Sequence, residues 1–202
     1  MKTLTLQLSI FSIALFFYLT PTSSFGQVYQ IGNDTLITGS CNPSPVGIYY
    51  RSTRMQIVYR KAELNNAGVF GGRITALGFD VVSTPNYDLP NYTIKLKHDT
   101  TVNPTSEVSG PFQTVYQDTL YSPDTTGFDL LTLDTAFFWN GQDNLVVEVC
   151  WDRVPSYSCT GTVRYSNDSL SNAIYDWDDG QDMCGQSVYY TTEKPNIQFK
   201  FK

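Results

Sequence analysis

The sequence predicts an all-β fold, specifically an antiparallel two-sheet β-sandwich of jelly-roll-like type with one short helix. Three observations favour this class. Short runs in which apolar and polar residues alternate recur along most of the chain, these runs are rich in β-branched and aromatic residues, and clusters of glycine, proline and asparagine separate them. Many short strands with little helix are typical of sandwiches and jelly rolls.

Each strand is predicted by its own alternation. The clearest run is "NYTIKLKHDT", in which Tyr92, Ile94 and Leu96 alternate with polar residues. The same period in "NLVVEVCW" turns Glu148 toward water, and the last run, "NIQFKFK", is an expected edge strand. The remaining strand-like runs, in chain order, are TRMQIVYR, RITALGFDVV, TVYQDTLY, GFDLLTLDTAFFW, TVRYS and NAIYDW.

Two connections have signals of their own. The segment Lys61–Asn66 is the one helical candidate, because its residues favour a helix and glycines follow it. The dipeptide Asn140-Gly141 predicts a hairpin turn between Phe138 and Leu145. The expected architecture is therefore a set of strands joined by short turns and one brief helix.

The N-terminus predicts export. One cation precedes an uncharged, mostly apolar run over Leu4–Leu19, and small residues lead to a suitable cleavage point before Gln27. The competing interpretation is a membrane anchor, but a spanning helix needs about 20 apolar residues, and this run is shorter. We therefore expect a signal peptide at residues 1–26 and a single β-sandwich domain at residues 27–202. Its expected location is extracellular, at the cell surface or in the periplasm.

Composition excludes several classes of partner. The formal net charge is −6 and the basic residues are scattered, so the chain has no electrostatic footprint for nucleic acid. No second apolar segment follows the predicted signal peptide, so no transmembrane segment is expected in the mature chain. The expected partners are envelope or surface proteins, or glycans.

The four cysteines predict two disulfides, because an even number in an exported chain favours cystine over free thiols. Cys150 and Cys159 flank a short loop, so we expect them to pair and to staple a hairpin. Cys41 would then pair with Cys184 and tie the N-terminal segment to the acidic stretch near Cys184. A bridge between Cys159 and Cys184 is the nearest alternative. Zinc is disfavoured because the chain has no C-x-x-C pair and a single histidine.

The stretch "IYDWDDGQDMCG", which we call the acidic loop, has four carboxylates, and calcium prefers several oxygen ligands on a loop. They belong to Asp176, Asp178, Asp179 and Asp182. The pattern departs from an EF-hand, since the glycine comes one position early and Ser187 stands where the bidentate glutamate belongs. Two interpretations stay open: a loop that binds calcium, the one candidate cofactor, or a tight turn in which aspartate and glycine satisfy the backbone.

Aromatic residues beside loops form a candidate ligand platform, because rings at such positions are free to stack on a ligand. The competing interpretation is that these rings fill the space between the sheets, as most aromatic residues of a sandwich do. The candidate residues flank loops rather than lie within long strands. They are Tyr49, Tyr50, Trp177, Tyr189 and Tyr190.

Signals of catalysis are weak. The one histidine, His98, ends the run "TIKLKH", where a solvent-exposed position at the edge of a sheet is expected. No G-x-S-x-G or H-E-x-x-H motif is present. Glu148 and the acidic loop supply carboxylates of the kind used in glycoside hydrolysis, but a sequence does not give their separation. We therefore expect a protein that is not an enzyme and that has no catalytic residues.

Two segments carry a resemblance to a known family. One is "RMQIVYRKAEL", from Arg54 to Leu64, and the other is "FFWNGQDNLVVEVC", from Phe137 to Cys150. With the order of the strands around them, they resemble a recurrent β-sandwich module of secreted and cell-surface proteins of the Bacteroidota, often linked to type IX secretion, gliding or adhesion. The resemblance implies a sandwich fold without catalytic residues.

Two functions follow as expectations. The first is a non-enzymatic exported module for cell-surface binding, adhesion or assembly, which acts through its end loops or through an edge strand that pairs with another copy. The alternative is a carbohydrate-binding module, which would depend on calcium if the acidic loop holds the ion. Glycan binding through stacked rings would favour the alternative, whereas assembly without glycan binding would favour the first.

Overall fold

Two antiparallel sheets face each other across an apolar core, which confirms the predicted two-sheet β-sandwich with one short helix. The computed structural model describes residues 26–167, 170, 172–186, 188 and 190–202, with the backbone alone at 190–192. The predicted signal peptide, apart from its last residue, lies outside the described residues.

In the described part of the chain, sheet A has eight strands. They are β1 (Gln27–Ile31), β2 (Leu36–Ile37), β4 (Gly72–Ser83), β7 (Gly127–Phe128), β8 (Leu131–Trp139), β10 (Thr162–Ser166), β13 (Lys194–Pro195) and β14 (Ile197–Phe201). The main path of the sheet is β1-β14-β4-β10-β13, with β7 and β8 paired to β4 and β2 paired to β10.

Sheet B has six strands within the ranges given above. They are β3 (Ser52–Tyr59), β5 (Leu89–Asp99), β6 (Gln113–Tyr121), β9 (Asn144–Trp151), β11 (Ala173–Asp178) and β12 (Tyr190–Thr192). Their order is β12-β11-β3-β9-β5-β6. Each strand-like run predicted from the sequence falls on one or two of the strands of sheets A and B.

The core forms where the inward faces of the two sheets meet. Alternation turns Ile57 of sheet B inward, opposite Leu77 and Phe199 of sheet A, and all three are fully buried. Tyr59 bridges the sheets, because its ring meets that of Phe199 edge-on at 5.7 Å and its hydroxyl donates to the carbonyl of Pro195 at 2.8 Å. Burial of these rings and branched side chains supplies the main force that joins the sheets.

The predicted helix is present as α1 (Lys61–Asn66). Its start is capped from within, because the carboxylate of Glu63 accepts the backbone N–H of Arg60 at 2.8 Å. Leu64 is fully buried and anchors the helix on the core. Gly68 follows at φ 92°, a left-handed conformation that glycine adopts without strain and that commonly ends a helix.

The predicted hairpin at Asn140-Gly141 is wrong, because the strands on either side of it belong to different sheets. β8 pairs with β4 in sheet A, and β9 pairs with β3 and β5 in sheet B. The turn itself has the expected chemistry: the Asn140 side chain accepts the backbone N–H groups of Gln142 and Asp143. Gly141 adopts φ 69°. The turn therefore carries the chain from one sheet to the other.

The last strand is not an edge strand, contrary to the prediction. β14 lies between β1 and β4 and pairs with both. Alternating phenylalanine and lysine residues mark a strand with one buried face, and that pattern is the same inside a sheet as at its edge. The outer strand on that side of sheet A is β1, for which β14 is the one partner strand in the described part of the chain.

The outer face of sheet B is covered rather than exposed. Two segments cross it: the connection between β5 and β6, and the end of the acidic loop together with Gln186, which follows it. Gln56 exchanges hydrogen bonds with the backbone of Val108 in the first segment, at 2.9 and 3.2 Å. Arg54 donates to the carbonyl of Gln186 in the second. Polar side chains of β3 that alternation turns outward are therefore buried.

Glu148, which was expected to face water, lies in a buried ion network on this face and is 1% exposed. Its carboxylate accepts hydrogen bonds from Arg54 at 2.6 Å, Lys95 at 2.8 Å and Gln56 at 2.9 Å. Arg54 also pairs with Glu107 at 2.9 Å. Burial by itself would raise the pKa of Glu148, but the hydrogen bonds outweigh burial and hold that pKa below its ordinary value of 4.5. The loops that cover the sheet are the reason for the difference from the prediction.

We predict that Glu148→Gln lowers the free energy of unfolding by about 3 kcal/mol at neutral pH, because it leaves Arg54 and Lys95 beside a neutral amide. The matched control is Asp182→Asn, which breaks a half-exposed pair with Arg153 and should cost less than about 1 kcal/mol. Urea unfolding followed by tryptophan fluorescence measures both values.

The Glu148 carboxylate also gives this prediction a pH signature. Its pKa is lower in the folded than in the unfolded chain, so its contribution to stability is complete above pH 4.5 and is lost as the pH falls through the folded-state pKa. The difference in unfolding free energy between wild type and Glu148→Gln should therefore shrink in acid. A difference that stays constant down to about pH 3 would contradict the network.

Candidate functional site

All four cysteines form disulfides, but the predicted pairing of Cys150 with Cys159 and of Cys41 with Cys184 is wrong. Cys41 pairs with Cys159, and Cys150 pairs with Cys184. Alternation on β9 places Cys150 on the outer face of sheet B, so its partner comes from the acidic loop that crosses this face. The loop after β9 runs beside the segment before β3, where Ile48 bonds the backbone on both sides of Cys159.

The two disulfides brace three segments that meet at one end of the sandwich. We call them the end segments, and they are residues 49–51, 152–157 and 177–182. The Cys41–Cys159 bridge ties the chain before β3 to the loop after β9. The Cys150–Cys184 bridge ties the end of β9 to the acidic loop. Cys150 and Cys159 stand just before and just after the second end segment, and Cys184 follows the third, so the two bridges restrain these segments from their ends.

Arg51 connects the three end segments. Its backbone N–H donates to the carboxylate of Asp179 at 3.0 Å. Its guanidinium donates to the carbonyl of Asp179 at 3.1 Å and to the carbonyl of Val154 at 2.9 Å. Hydrogen bonds that involve an ionised group are stronger than those between neutral groups. One residue therefore holds the first end segment against the other two.

A cleft lined by aromatic rings opens between the end segments, with a volume of about 410 Å³. We call it the aromatic cleft, and its described lining residues are Tyr49, Tyr50, Tyr157, Trp177 and Asp179. The Tyr50 ring stacks on the Trp177 indole, with centroids 3.9 Å apart and planes 7° apart. Tyr49 meets Tyr50 edge-on at 4.7 Å, and Tyr157 is 63% exposed. The rings thus support one another and leave part of their surface open.

Three of the five aromatic residues that the sequence indicates as a ligand platform meet in this cleft. They are Tyr49, Tyr50 and Trp177. Trp177 reaches the cleft because β11 ends there: it is the last residue but one of that strand. The remaining two fall outside the described part of the chain, Tyr189 entirely and Tyr190 in its side chain.

Tyr157 is a lining residue that the sequence does not single out. It stands in the loop "VPSYSC" and has no aromatic neighbour there. Its place in the aromatic cleft depends on the bridge from Cys41 to Cys159, which brings this loop beside the segment before β3. An isolated tyrosine in a loop of proline and serine next to a cysteine is the one sequence signal that points to it.

The acidic loop is a turn held by its own carboxylates. The Asp178 carboxylate accepts the backbone N–H groups of Gly180 and Gln181, the second at 2.7 Å. The Asp182 carboxylate accepts a hydrogen bond from the guanidinium of Arg153 at 2.8 Å. These contacts match the tight turn that was one of the two interpretations of the sequence.

The four aspartates considered as calcium ligands do not converge on one point. Asp176 accepts the backbone N–H of Trp177 at 2.8 Å, and Asp179 is bonded to Arg51. Within the ranges that the structure describes, no group of three or more His, Cys, Asp or Glu residues is arranged to hold a metal ion. The geometry therefore favours the turn over the calcium loop.

A second cleft, of about 370 Å³, begins at Arg51. We call it the polar cleft, and its described lining residues are Arg51, Pro90, Asn91, Asp152, Arg153 and Asp182. Asn91 adopts φ 53°, a left-handed conformation that is uncommon outside glycine. Burial and the nearby charge of Asp182 raise the pKa of Asp152 above its ordinary value of 3.8. The polar cleft is thus rich in hydrogen-bonding groups.

His98 supports the turn between the sheets. Its ring is half-buried, contrary to the expected exposed position, and packs against Phe137 with centroids 4.8 Å apart. Its Nε2 accepts the backbone N–H of Asn140 at 3.1 Å. The imidazole is therefore part of the scaffold between β8 and β9.

No known family model matches the chain, and neither a curated protein nor a solved structure matches it. The resemblance to a Bacteroidota surface module accordingly stays a prediction. None of the helices in the described ranges is long and apolar enough to cross a membrane. The two disulfides are consistent with an exported protein.

We predict that calcium does not stabilise the protein. The loop aspartates are bonded within the chain, and an ion that bound the native state alone would raise the melting temperature. Thermal melts in about 5 mM calcium chloride and in excess EDTA should agree within about 1 °C. A rise of several degrees in calcium that Asp178→Asn abolishes would restore the calcium loop.

Proposed function

We propose that the protein is a non-enzymatic exported module that binds carbohydrate in the aromatic cleft, at the cell surface or in the periplasm. One observation carries this proposal: stacked rings and a carboxylate line a cleft at one end of a sandwich, on segments braced by two disulfides. The proposal joins the expected surface-binding role with the carbohydrate alternative, without a role for calcium.

Aromatic rings bind sugars through the C–H groups of the sugar ring. One face of a pyranose carries C–H bonds whose hydrogens are slightly positive, and the face of an aromatic ring is the negative region of its quadrupole. The hydroxyls at the edge of the sugar then need hydrogen-bond partners. In the aromatic cleft, the carboxylate of Asp179 supplies acceptor oxygens beside the rings of Tyr50 and Trp177. The exposed ring of Tyr157 offers a further face.

The aromatic cleft is preorganised, so that a ligand that makes few contacts is still able to bind. Stacking on Tyr50 restrains the Trp177 indole, and the two disulfides restrain the loops on either side. A site that is already ordered loses less conformational entropy when a ligand binds. Its volume of about 410 Å³ also lies in the range of small-molecule sites, about 300–1,000 Å³.

Binding without hydrolysis is supported by the carboxylates of the aromatic cleft. Glycoside hydrolysis uses two carboxyl groups on either side of the scissile bond. Among the described residues that line this cleft, one is a carboxylate, Asp179, and it accepts the backbone N–H of Arg51. The aromatic cleft by itself therefore offers, among its described lining residues, one carboxylate where hydrolysis uses two.

Export and surface placement have separate support. The signal-peptide pattern at residues 1–26 and the two disulfides support export. The resemblance to a Bacteroidota surface module supports placement at the cell surface.

We predict that the mature chain, residues 27–202, binds immobilised glycans and that Trp177→Ala weakens this binding at least about tenfold. The substitution removes the stacked indole and leaves Tyr50 without its partner. The matched control is Phe138→Ala, which removes a 64% exposed ring on β8. A glycan array identifies the sugar class, and titration calorimetry measures the affinities.

Glycan binding that Phe138→Ala retains and Trp177→Ala loses is the expected result. An array with no bound glycan, or equal binding by Trp177→Ala, would contradict the proposal. Mass spectrometry of the bound glycan completes the test, because release of shorter sugars would show that the protein is an enzyme.

A second candidate function, assembly through a sheet edge, is favoured by β1. This strand, "QVYQI", has no charged side chain, no proline and a regular register, and Val28 is 41% exposed. Exposed edges usually carry lysine, proline or a bulge that prevents pairing with another chain. A second copy suits this edge, because two β1 strands pair antiparallel about a twofold axis.

We predict that the mature chain forms dimers at high concentration and that Val28→Lys weakens the dimer at least about tenfold, because it places a charge on each facing edge. The matched control is Leu120→Lys, which adds the same charge at a 55% exposed position on β6. Sedimentation velocity over a concentration series measures the dimer. A strict monomer, or a dimer indifferent to Val28→Lys, would refute assembly through β1.

A further inference from the structure

We infer that the polar cleft is a second subsite for the same ligand, so that the ligand is an oligosaccharide whose neighbouring units occupy the two clefts. The inference rests on the proposed function, because the aromatic cleft is the first subsite. Beyond the proposed function, the inference specifies that the ligand has at least two sugar units. It also specifies that the second unit is a neutral sugar, bound through its hydroxyls and not through the face of its ring.

The same three end segments build both clefts. Each of them gives at least one residue to the aromatic cleft and, within a few positions, at least one to the polar cleft. In chain order, these neighbours are Tyr50 and Arg51, Arg153 and Tyr157, and Asp179 and Asp182. Positions so close along a chain are close in space, and Arg51 of the polar cleft is bonded to Asp179 of the aromatic cleft. We therefore place the two clefts next to each other.

Arg51 lies on the boundary between the clefts. It directly follows Tyr50, it lines the polar cleft, and it is bonded to Asp179 of the aromatic cleft. Its bonds to the carbonyls of Asp179 and Val154 fix the guanidinium in place. A sugar chain that leaves the stacked rings toward the polar cleft therefore passes an ordered hydrogen-bond donor.

The lining of the polar cleft offers hydrogen bonds where the first subsite offers rings. Asp152 and Asp182 accept hydrogen bonds, Arg153 donates them, and Asn91 does both. None of the lining residues that the structure describes is aromatic. Carboxylate, guanidinium and amide groups are planar and make two parallel hydrogen bonds at once, a geometry that matches two neighbouring hydroxyls of a sugar.

The balance of charge favours a neutral sugar. Two arginines and two aspartates line the polar cleft, so an acidic sugar would meet two carboxylates and a cation would meet two guanidinium groups. The pair of Arg153 with Asp182 is about half-exposed on both sides, at 53% and 49%. Exposed pairs of this kind add little to stability, so sugar hydroxyls are able to take their place.

The floor of the polar cleft is set by the start of β5. The carbonyl of Pro90 accepts the backbone N–H of Asp152 at 2.9 Å, which joins β5 to the end of β9. Asn91 follows in its left-handed conformation, so its side chain leaves the regular alternation of the strand. This arrangement gives the second subsite a donor on β5 and an acceptor directly after β9.

Titration calorimetry of the mature chain tests the inference with three neutral probe series: glucose and cellotetraose, mannose and mannotetraose, and xylose and xylotetraose. For the series that binds, the tetrasaccharide should bind at least about tenfold more tightly than the monosaccharide. Arg153→Met should reduce that advantage to about the fourfold that four equivalent units give by number alone at one subsite, and it should leave the affinity for the monosaccharide unchanged.

Two further variants make the test specific. Asn91→Gly removes the side chain but suits the positive φ, so it should also weaken the tetrasaccharide without unfolding the chain. Arg73→Met is the matched control, because Arg73 is an exposed arginine on β4, away from the end segments, and it should change neither affinity.

The outcomes separate this inference from the proposed function. Equal affinity for monosaccharide and tetrasaccharide, with both lost in Trp177→Ala, would overturn the second subsite and leave the aromatic cleft as the binding site. A tetrasaccharide advantage that survives both Arg153→Met and Asn91→Gly would also overturn the subsite. If no probe and no array glycan binds the wild type, the proposed function and this inference are overturned together.

Discussion

Two disulfides stabilise the end of the sandwich that contains the aromatic cleft and the polar cleft, where the proposed carbohydrate binding takes place. They join residues 118 and 34 positions apart in the chain, and in the chain-entropy model such cross-links are worth about 5 and about 4 kcal/mol. The aromatic residues of the cleft lie on the end segments, where strand pairing is sparse. Covalent bridges and the hydrogen bonds of Arg51 do there what strand pairing does elsewhere in the fold.

The acidic loop links the stability of the fold to the geometry of the site. On one side, Gln186, the residue directly after the loop, accepts a hydrogen bond from Arg54, so this end of the loop helps to bury the ion network around Glu148. On the other side, the same loop places Asp179 and Asp182 in the two clefts. A substitution that detaches the loop would therefore expose the buried charges of the network and disorder both clefts. The stability of the fold and the binding of a ligand thus depend on the same loop.

The sequence predicted the features that depend on residues close together in the chain. It did not predict the features that depend on contacts between segments far apart in the chain. Alternation located the strands and the short helix because each depends on residues a few positions apart. The buried position of Glu148, the course of the chain after Asn140 and the pairing of the cysteines depend on segments far away in sequence. In the site, rings beside loops indicated Trp177 as a ligand-binding residue; it lines the aromatic cleft, and its binding of a ligand stays a prediction. Tyr157 was not predicted, because its loop is brought to the aromatic cleft by the disulfide between Cys41 and Cys159 and not by a pattern in the sequence.

The claim on which the others depend is that sugar binds against the Trp177 indole. The most direct measurement is an NMR titration of the isotope-labelled mature chain with the tetrasaccharide that it binds best, followed at the three tryptophan indole N–H signals. The signal of Trp177 should shift, and those of Trp139 and Trp151, which are fully buried, should stay in place. An unmoved Trp177 signal at saturating sugar would contradict the claim.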